Sequence, residues 1–145
     1  MKRPLKKATL FIDGAARGNP GPASAGLVVT DSGGRTLKEE GVFIGEATNN
    51  IAESMALILG LQLVMRMGYE EVSVFTDSEL LDRQVSGRYR VKNEVLQWFH
   101  VIIRHLINGF RHFEIRHIPR GKNQRADRLA AQAVTKGMKG QSIFW

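Results

Sequence analysis

The chain of 145 residues has the size of one ordinary domain, and its 43% hydrophobic and 24% charged residues exclude wholesale disorder and fibrous repeats. The absence of cysteine excludes disulfide bonds and thiolate metal sites, and it fits a reducing cytoplasm. The net charge of +7 favours a polyanion such as nucleic acid as the partner, although a basic surface can also serve solubility alone.

The first half of the chain has the pattern of three strands and a long helix. Apolar runs predict strands over residues 7–13, 24–31 and 35–46, and the sequence DSGG suits a hairpin turn between the second and third. A helix over about residues 50–67 has Thr48 or Asn49 as its N-cap and Gly68 as its stop. Because this helix is apolar nearly all round, we expect it to be central.

Helices and strands alternate in the rest of the chain. We predict a strand over 71–77, helices over 78–86 and 94–107, a strand over 110–118 and a last helix over 123–136. Residues 1–6 read as a basic N-terminal extension, and residues 137–145 as a loosely attached tail. Because a helix precedes each of the two later strands, both should join the sheet in parallel through right-handed crossovers. The predicted fold class is α/β: one domain over 1–145 with a five-stranded mixed sheet, three antiparallel strands and then two parallel ones, flanked by helices.

No segment has the features of a membrane span or a secretory signal. The longest apolar stretch, MALILGLQLVMRM, is interrupted by Gly60, Gln62 and Arg66. The basic N-terminus leads straight into a strand pattern. We therefore expect a soluble, cytoplasmic protein without membrane contacts.

Four carboxylates stand at the ends of predicted elements. Asp13 and Asp77 each end an apolar strand, and Glu53 and Asp127 lie in the first turns of two helices. Each acid taken singly has a structural explanation, because Asp and Glu favour turns and helix N-termini. If the first and fourth strands are parallel neighbours, however, Asp13 and Asp77 lie side by side, and clustered carboxylates raise one another's pKa unless a cation lies among them.

A divalent cation is the usual partner of such a cluster. Oxygen ligands without cysteine suit Mg2+ or Mn2+ rather than zinc. A carboxylate cluster on a basic protein suggests metal-assisted phosphodiester chemistry, in which two ions ~3.5–4 Å apart activate the attacking water and stabilise the leaving oxygen.

Five segments carry a resemblance to a known family. They are FIDGAARGNPGPASAG, TNNIAESMALILGL, VFTDSELL, VKNEVLQWF and HIPRGKNQRADRLA, which follow the family's order over nearly the whole chain. The chain resembles type 1 ribonuclease H, the endonuclease that cuts the RNA strand of RNA–DNA hybrids. The resemblance implies the ribonuclease H-like fold, two Mg2+ ions with Mn2+ as a substitute, and products with 5′-phosphate and 3′-hydroxyl ends. We also expect a monomer.

The resemblance assigns catalytic roles to particular residues. It implies that four acids bind the metal ions and that the first of them touches both ions: Asp13, Glu53, Asp77 and Asp127. His117 stands at the spacing of a family histidine that assists proton transfer or product release. His117 can equally be an ordinary strand-end residue, and Arg120 can fill the role electrostatically.

Further matches concern the substrate. Three positions match residues that read the minor groove of the hybrid, where the 2′-hydroxyls of the RNA are displayed: Asn19, Asn49 and Asn50. Thr48 and Asn93 match positions that hold a phosphate of the DNA strand. Trp98 falls where the family places an aromatic near the DNA sugar, whereas its helix pattern favours a core position.

The chain also departs from the family pattern. Glu46 stands two residues before Thr48, where the family usually has an arginine, so the grip on the DNA strand should be weaker or differently arranged. Glu79, a further candidate substrate contact, follows TDS where many members carry glutamine, and it accepts but cannot donate a hydrogen bond at neutral pH. Residues 87–91 are too few for the basic protruding helix of many bacterial members, which indicates the compact subtype.

Two other functions fit part of this pattern. Another nuclease on the same fold, such as a resolvase, transposase core or 3′ exonuclease, would share the acids, because a fold does not fix a function. A nucleic-acid-binding module without catalysis would share the basic surface. The TNNIAES segment favours hybrid cleavage over the first alternative, and the complete set of acids argues against the second.

Overall fold

The computed structural model describes residues 6–144, with side chains through residue 140. The elements follow in chain order: strands Lys7–Ala16 (β1), Gly21–Thr30 (β2) and Thr36–Ala47 (β3), helix Asn49–Arg66 (α1), strand Glu71–Thr76 (β4), helices Glu79–Val85 (α2) and Glu94–Ile107 (α3), strand His112–His117 (β5), a 3-10 turn Arg120–Lys122 and helix Gln124–Phe144 (α4). Residues 1–5 of the predicted N-terminal extension lie outside the described residues.

The five strands form one mixed sheet in the order β3-β2-β1-β4-β5. β1 pairs with β2 in antiparallel register and with β4 in parallel register, and β5 extends the parallel half. The predicted fold class is confirmed, including the two parallel strands. A consequence of the parallel pairing is that β1 and β4 end at the same edge of the sheet.

Helices cover both faces of the sheet. Successive side chains of β1 point to opposite faces, and apolar side chains on each face pack against a helix. Leu10 and Ile12 are buried and pack against Gly60 of α1. Phe11, which points the other way, lines a cavity with Ala126 of α4. Full burial of each large aliphatic side chain contributes about 1.5–3 kcal/mol, so the core holds β1 firmly between the helices.

The long helix α1 is central, as its sequence predicts. It packs on β1 and β2, and α3 packs on its outer side. Thr48 is its N-cap, with the side-chain oxygen accepting a hydrogen bond from the Ile51 amide at 3.2 Å. The chain leaves the helix at Gly68, whose φ of 86° is available to glycine at little cost.

The last helix runs further than predicted. α4 continues to Phe144, whereas the sequence pattern placed its end near Lys136 and a loose tail after it. Gly137 reads as a stop signal, but a Cβ at that position would lie 2.0 Å from the ring of Phe43. The glycine is therefore explained by close packing of α4 on β3 and not by helix termination.

Among residues 6–144, no helix combines the length and apolar character that a membrane crossing requires.

Candidate metal and nucleic-acid site

Two of the four acids lie together because β1 and β4 are parallel neighbours. Ile12 pairs with Thr76 in the sheet, so Asp13 and Asp77 follow a paired position at the same edge. Asp13 is 6% exposed and is held by the buried strand that precedes it. The core thereby fixes the position of the Asp13 carboxylate at this edge of the sheet.

Glu53 joins these acids because a glycine lets α1 approach β1. A Cβ on Gly14 would lie 2.3 Å from the carbonyl carbon of Ala52, so any side chain would push the first turn of α1 away. The Gly14 amide donates a hydrogen bond to Glu53 Oε1. One carboxylate oxygen from each of Asp13, Glu53 and Asp77 lies within 4.8 Å of the other two.

Asp127 completes the group from α4. A cleft of about 390 Å3 is lined by all four acids, by Asn49, Asn50 and Ser78, and by Arg120. Arg120 Nη2 lies 3.7 Å from Asp127 Oδ1, with the Arg120 side chain 83% exposed. The guanidinium therefore borders the cleft and is accessible to a ligand.

The cluster is electrostatically strained in the absence of a cation. Burial, with repulsion from Glu53 and Asp77 adding to it, raises the pKa of Asp13 to about 9. Burial also raises the pKa of Glu53 to about 7, although hydrogen bonds from Gly14 and Ser78 favour its ionised form. The cluster thus holds protons near neutral pH unless positive charge replaces them.

This donor set fits a divalent cation. The cluster offers only hard carboxylate oxygens, the ligands that Mg2+ and Mn2+ prefer. No lysine or arginine nitrogen among the described residues lies within 4.0 Å of a carboxylate oxygen of Asp13, Glu53 or Asp77. Among the described residues these three acids therefore have no ion-pair partner, and a bound divalent cation would supply the compensating charge.

Sequence reasoning missed Asn123, which lies immediately before α4 and is 2% exposed. Its Nδ2 donates to the carbonyl of Ile12 at 2.8 Å and to Asp77 Oδ2 at 3.1 Å. Its Oδ1 is buried without a hydrogen-bond partner among the described residues. Asn123 thus ties the end of β1 to Asp77 and α4. A lone Asn beside a helix start reads as a cap, so the sequence carries no signal for this contact.

The three minor-groove candidates lie beside the cleft. Asn49 and Asn50 line the cleft. Asn19 is not in the lining, but its Oδ1 accepts a hydrogen bond from the Asn49 amide at 3.0 Å. Asn49 Oδ1 in turn accepts from the amide of Ala16 at 3.1 Å. Backbone amides therefore occupy the side-chain oxygens of Asn19 and Asn49, and the NH2 groups of these side chains remain as donors for other partners.

The two phosphate candidates are helix caps. Thr48 caps α1, and Asn93 caps α3 by accepting from the amide of Leu96 at 3.1 Å. A cap uses the oxygen as acceptor, so the Thr48 hydroxyl hydrogen and the Asn93 NH2 group keep their donor capacity. Neither residue is among those that line the acidic cleft.

Two other candidates, His117 and Glu79, and the unusual Glu46 are not among the residues that line the cleft. His117 is the exposed last residue of β5. The carboxylate of Glu79 accepts a 2.8 Å hydrogen bond from Arg83. Glu46, the departure from the family pattern, is exposed on β3.

Trp98 is exposed, so its interpretation as a core residue is wrong. The buried residues of α3 are Leu96, His100 and Ile103. Trp98 follows Leu96 by two positions, which turns it about 200° around the helix. Its side chain is 72% exposed and available to a ligand.

Comparison with known proteins places this geometry in a family. A family model described as reverse transcriptase-like matches residues 11–133. The ribonuclease HI of Halobacterium salinarum is 40% identical over 124 residues, and the bifunctional protein Rv2228c of Mycobacterium tuberculosis is 42% identical over 129 residues. These matches cover 86% and 88% of this chain, which spans only 62% and 35% of those two relatives.

A solved structure of a related protein has a similar fold. LC11-RNase H1, isolated from compost by a metagenomic approach, was solved in complex with an RNA/DNA hybrid. It is 43% identical to this chain, with a TM-score of 0.86, and the match covers 90% of this chain and 99% of that one. With these identities and the shared sheet topology, the chain belongs to the type 1 ribonuclease H family.

Proposed function

We propose that this chain hydrolyses the RNA strand of RNA–DNA hybrids endonucleolytically, with divalent metal ions, leaving 5′-phosphate and 3′-hydroxyl ends. The observation that carries the proposal is the cleft that gathers Asp13, Glu53, Asp77 and Asp127 from four separate elements. The likeness to LC11-RNase H1, which was solved with an RNA/DNA hybrid, supports the choice of substrate.

In this proposal the four acids together bind two metal ions, and Mg2+ is the expected ion. When bound, such ions supply the positive charge that stabilises the attacking and leaving oxygens of an in-line displacement at phosphorus. The chain's own contribution is rigidity. The buried end of β1 fixes Asp13, Gly14 orients Glu53 through its amide, and Asn123 holds Asp77.

Selection of RNA is assigned to the asparagines beside the cleft. The Asn19 side-chain oxygen accepts from the Asn49 amide, and the Asn49 side-chain oxygen accepts from the amide of Ala16 at the end of β1, which leaves both NH2 groups as donors for a 2′-hydroxyl. Thr48 and Asn93 are proposed to hold a phosphate of the DNA strand, with exposed Trp98 near a DNA sugar.

Arg120 is the better placed of the two residues proposed to assist the chemistry. It lines the cleft and lies 3.7 Å from Asp127, whereas His117 ends β5 outside the lining. We expect Arg120→Ala to lower kcat more than His117→Ala does. The opposite ranking would assign the assisting role to the histidine.

The direct test of the proposed function uses one labelled sequence in three duplex forms: RNA–DNA hybrid, double-stranded RNA and double-stranded DNA. With Mg2+ we expect internal cuts in the RNA strand of the hybrid only, and no cuts in EDTA. An intact hybrid with both Mg2+ and Mn2+ would indicate a binding module without catalysis. Equal cutting of the DNA duplex would indicate a different nuclease on the same fold.

A further inference from the structure

A basic groove lies along the outer face of α4, beside the acidic cleft. It has a volume of about 440 Å3 and is lined by residues from the turn after β1 and from α4, among them Arg17, Arg128, Gln132, Thr135, Lys136 and Lys139. On α4 these residues occupy positions 128, 132, 135, 136 and 139, which lie on one side of a helix with 3.6 residues per turn. The lining spans about 16 Å along the helix axis.

Two cations of this groove, Arg128 and Lys136, have no ion-pair partner among residues 6–140. Arg128 and Lys136 are exposed, and within residues 6–140 no carboxylate lies within 4.0 Å of their side-chain nitrogens. On the neighbouring side of α4 the situation is different, because Arg125 forms a two-pronged ion pair with Glu39. Unpaired cations on one side of a helix attract an anionic ligand more strongly than paired ones.

Arg17 is held in position by neutral groups. Its Nη2 donates to the hydroxyl of Thr135 at 2.5 Å, and its Nη1 lies 3.6 Å from the sulfur of Met138. These contacts fix the guanidinium over α4 without cancelling its charge. A preorganised arginine with remaining N–H donors is a good phosphate ligand.

The groove adjoins the acidic cleft at two points of the chain. Arg128 directly follows Asp127, and Arg17 lies four residues after Asp13. Both acids line the cleft, and both arginines line the groove. The positively charged lining therefore begins one residue from the cleft lining at both points, since Ala16 and Asp127 line the cleft and the arginines that follow them line the groove.

We propose that this groove binds backbone phosphates of the cleaved RNA strand to one side of the scissile phosphate. The inference rests on the proposed function, since it takes the hybrid as the ligand. Duplex strands carry one phosphate per ~3.4 Å of axis, so a groove of about 16 Å accommodates more than one. The groove contributes to hybrid binding in this chain, which has no basic protruding helix between α2 and α3.

The test compares KM for hybrid cleavage between wild type and the double variant Arg128→Gln/Lys136→Gln. Glutamine is a good helix former, so α4 should be retained, which circular dichroism checks. We expect KM to rise about tenfold, and the slope of log KM against log salt to fall by about 2, because each phosphate contact releases about one counterion.

The matched control is Arg35→Gln/Lys38→Gln, which removes the same charge. Both residues are exposed, Arg35 directly before β3 and Lys38 near its start, and this part of β3 pairs through β2 with the start of β1, at the sheet edge opposite Asp13. We expect the control to change KM less than twofold. If the two double variants raise KM equally, the groove acts only through the net charge of the protein, and the proposal is overturned.

Neutral methylphosphonates identify the strand that the groove contacts. Placed near the cut site on the RNA strand, they should remove the advantage of wild type over the groove variant, whereas on the DNA strand they should preserve it. The reverse result would overturn the assignment to the RNA strand. A wild-type protein that leaves the hybrid uncut would overturn the proposed function itself, whereas active wild type with an unaffected groove variant overturns only the groove.

Discussion

Replacement of Asp13 by asparagine should stabilise the metal-free protein. Burial and the neighbouring carboxylates raise the pKa of Asp13 from 3.8 to about 9. Since the folded-state pKa lies above the unfolded value, this group favours folding fully only below about pH 4, and its contribution is lost as the pH rises toward 9. An uncharged asparagine of nearly the same shape removes that loss.

The size of the effect follows from the pKa of Asp13. At pH 8, about four units above the ordinary value of 3.8, keeping the buried carboxyl protonated in the folded state costs up to ~6 kcal/mol, at ~1.4 kcal/mol per unit. Glu53 shares the same strain, so the proton that remains in the cluster relieves both acids. We therefore expect Asp13→Asn to gain about 2–3 kcal/mol, or about 6–10 °C in Tm.

Thermal unfolding in EDTA at pH 8, followed by circular dichroism, measures this gain. The matched control is Asp31→Asn, in the turn between β2 and β3. Asp31 Oδ1 accepts hydrogen bonds from the amides of Gly33 and Arg35, both at 2.9 Å, and an asparagine oxygen can accept both. The control should shift Tm by less than 2 °C, a margin set by the usual small effect of surface changes. A lower Tm for Asp13→Asn than for wild type would refute the electrostatic reasoning.

Three further predictions concern the same site. Mg2+ should raise the Tm of wild type more at pH 8 than at pH 5, as differential scanning calorimetry can measure. The pKa values of Asp13 and Glu53 are about 9 and about 7, so protons compete with the ion more strongly at the lower pH. Asn123→Ala should cost about 1–3 kcal/mol in urea unfolding and lower kcat, because a buried strand carbonyl and Asp77 both lose a donor. Gly14→Ala should cost about 2–3 kcal/mol and lower kcat, because its Cβ would displace the first turn of α1.

Each of these has a result that would contradict it. An equal Mg2+ shift at both pH values would mean that the cluster carries no competing protons. Full activity of the Asn123 variant would leave that residue a purely structural role. A Gly14 variant with wild-type stability would show that α1 has room to move.

The sheet and the positions of its acids were predictable because local pattern and topology agree. Apolar runs mark β1 and β4; two antiparallel pairings make β3 run with β1, and the helical crossover after β3 makes β4 run the same way, which brings Asp13 and Asp77 to one edge. The approach of Glu53 was not predictable in detail, since it depends on the contact of Gly14 with α1.

Residues that depend on tertiary contacts escaped the sequence reasoning. Asn123 is buried and bonded to Ile12 and Asp77, both distant in sequence, and nothing in its neighbours along the chain marks that burial. Gly137 reads as a helix stop because its partner, Phe43, is distant in sequence. Trp98 reads as core because indoles usually bury, but the inward side of α3 is set by Leu96 and Ile103.

The single-turnover rate of hybrid cleavage with saturating Mg2+ tests the central claim most directly, with wild type, Asp13→Asn and the Asp31→Asn control compared at pH 8. A carboxylate cluster that holds the catalytic ions predicts cleavage of the RNA strand by wild type and by the control at rates within about threefold of each other. The folded Asp13→Asn protein should be at least about 1,000-fold slower, a loss of about 4 kcal/mol in transition-state stabilisation. An Asp13→Asn protein that cuts the hybrid at the wild-type rate would contradict the account.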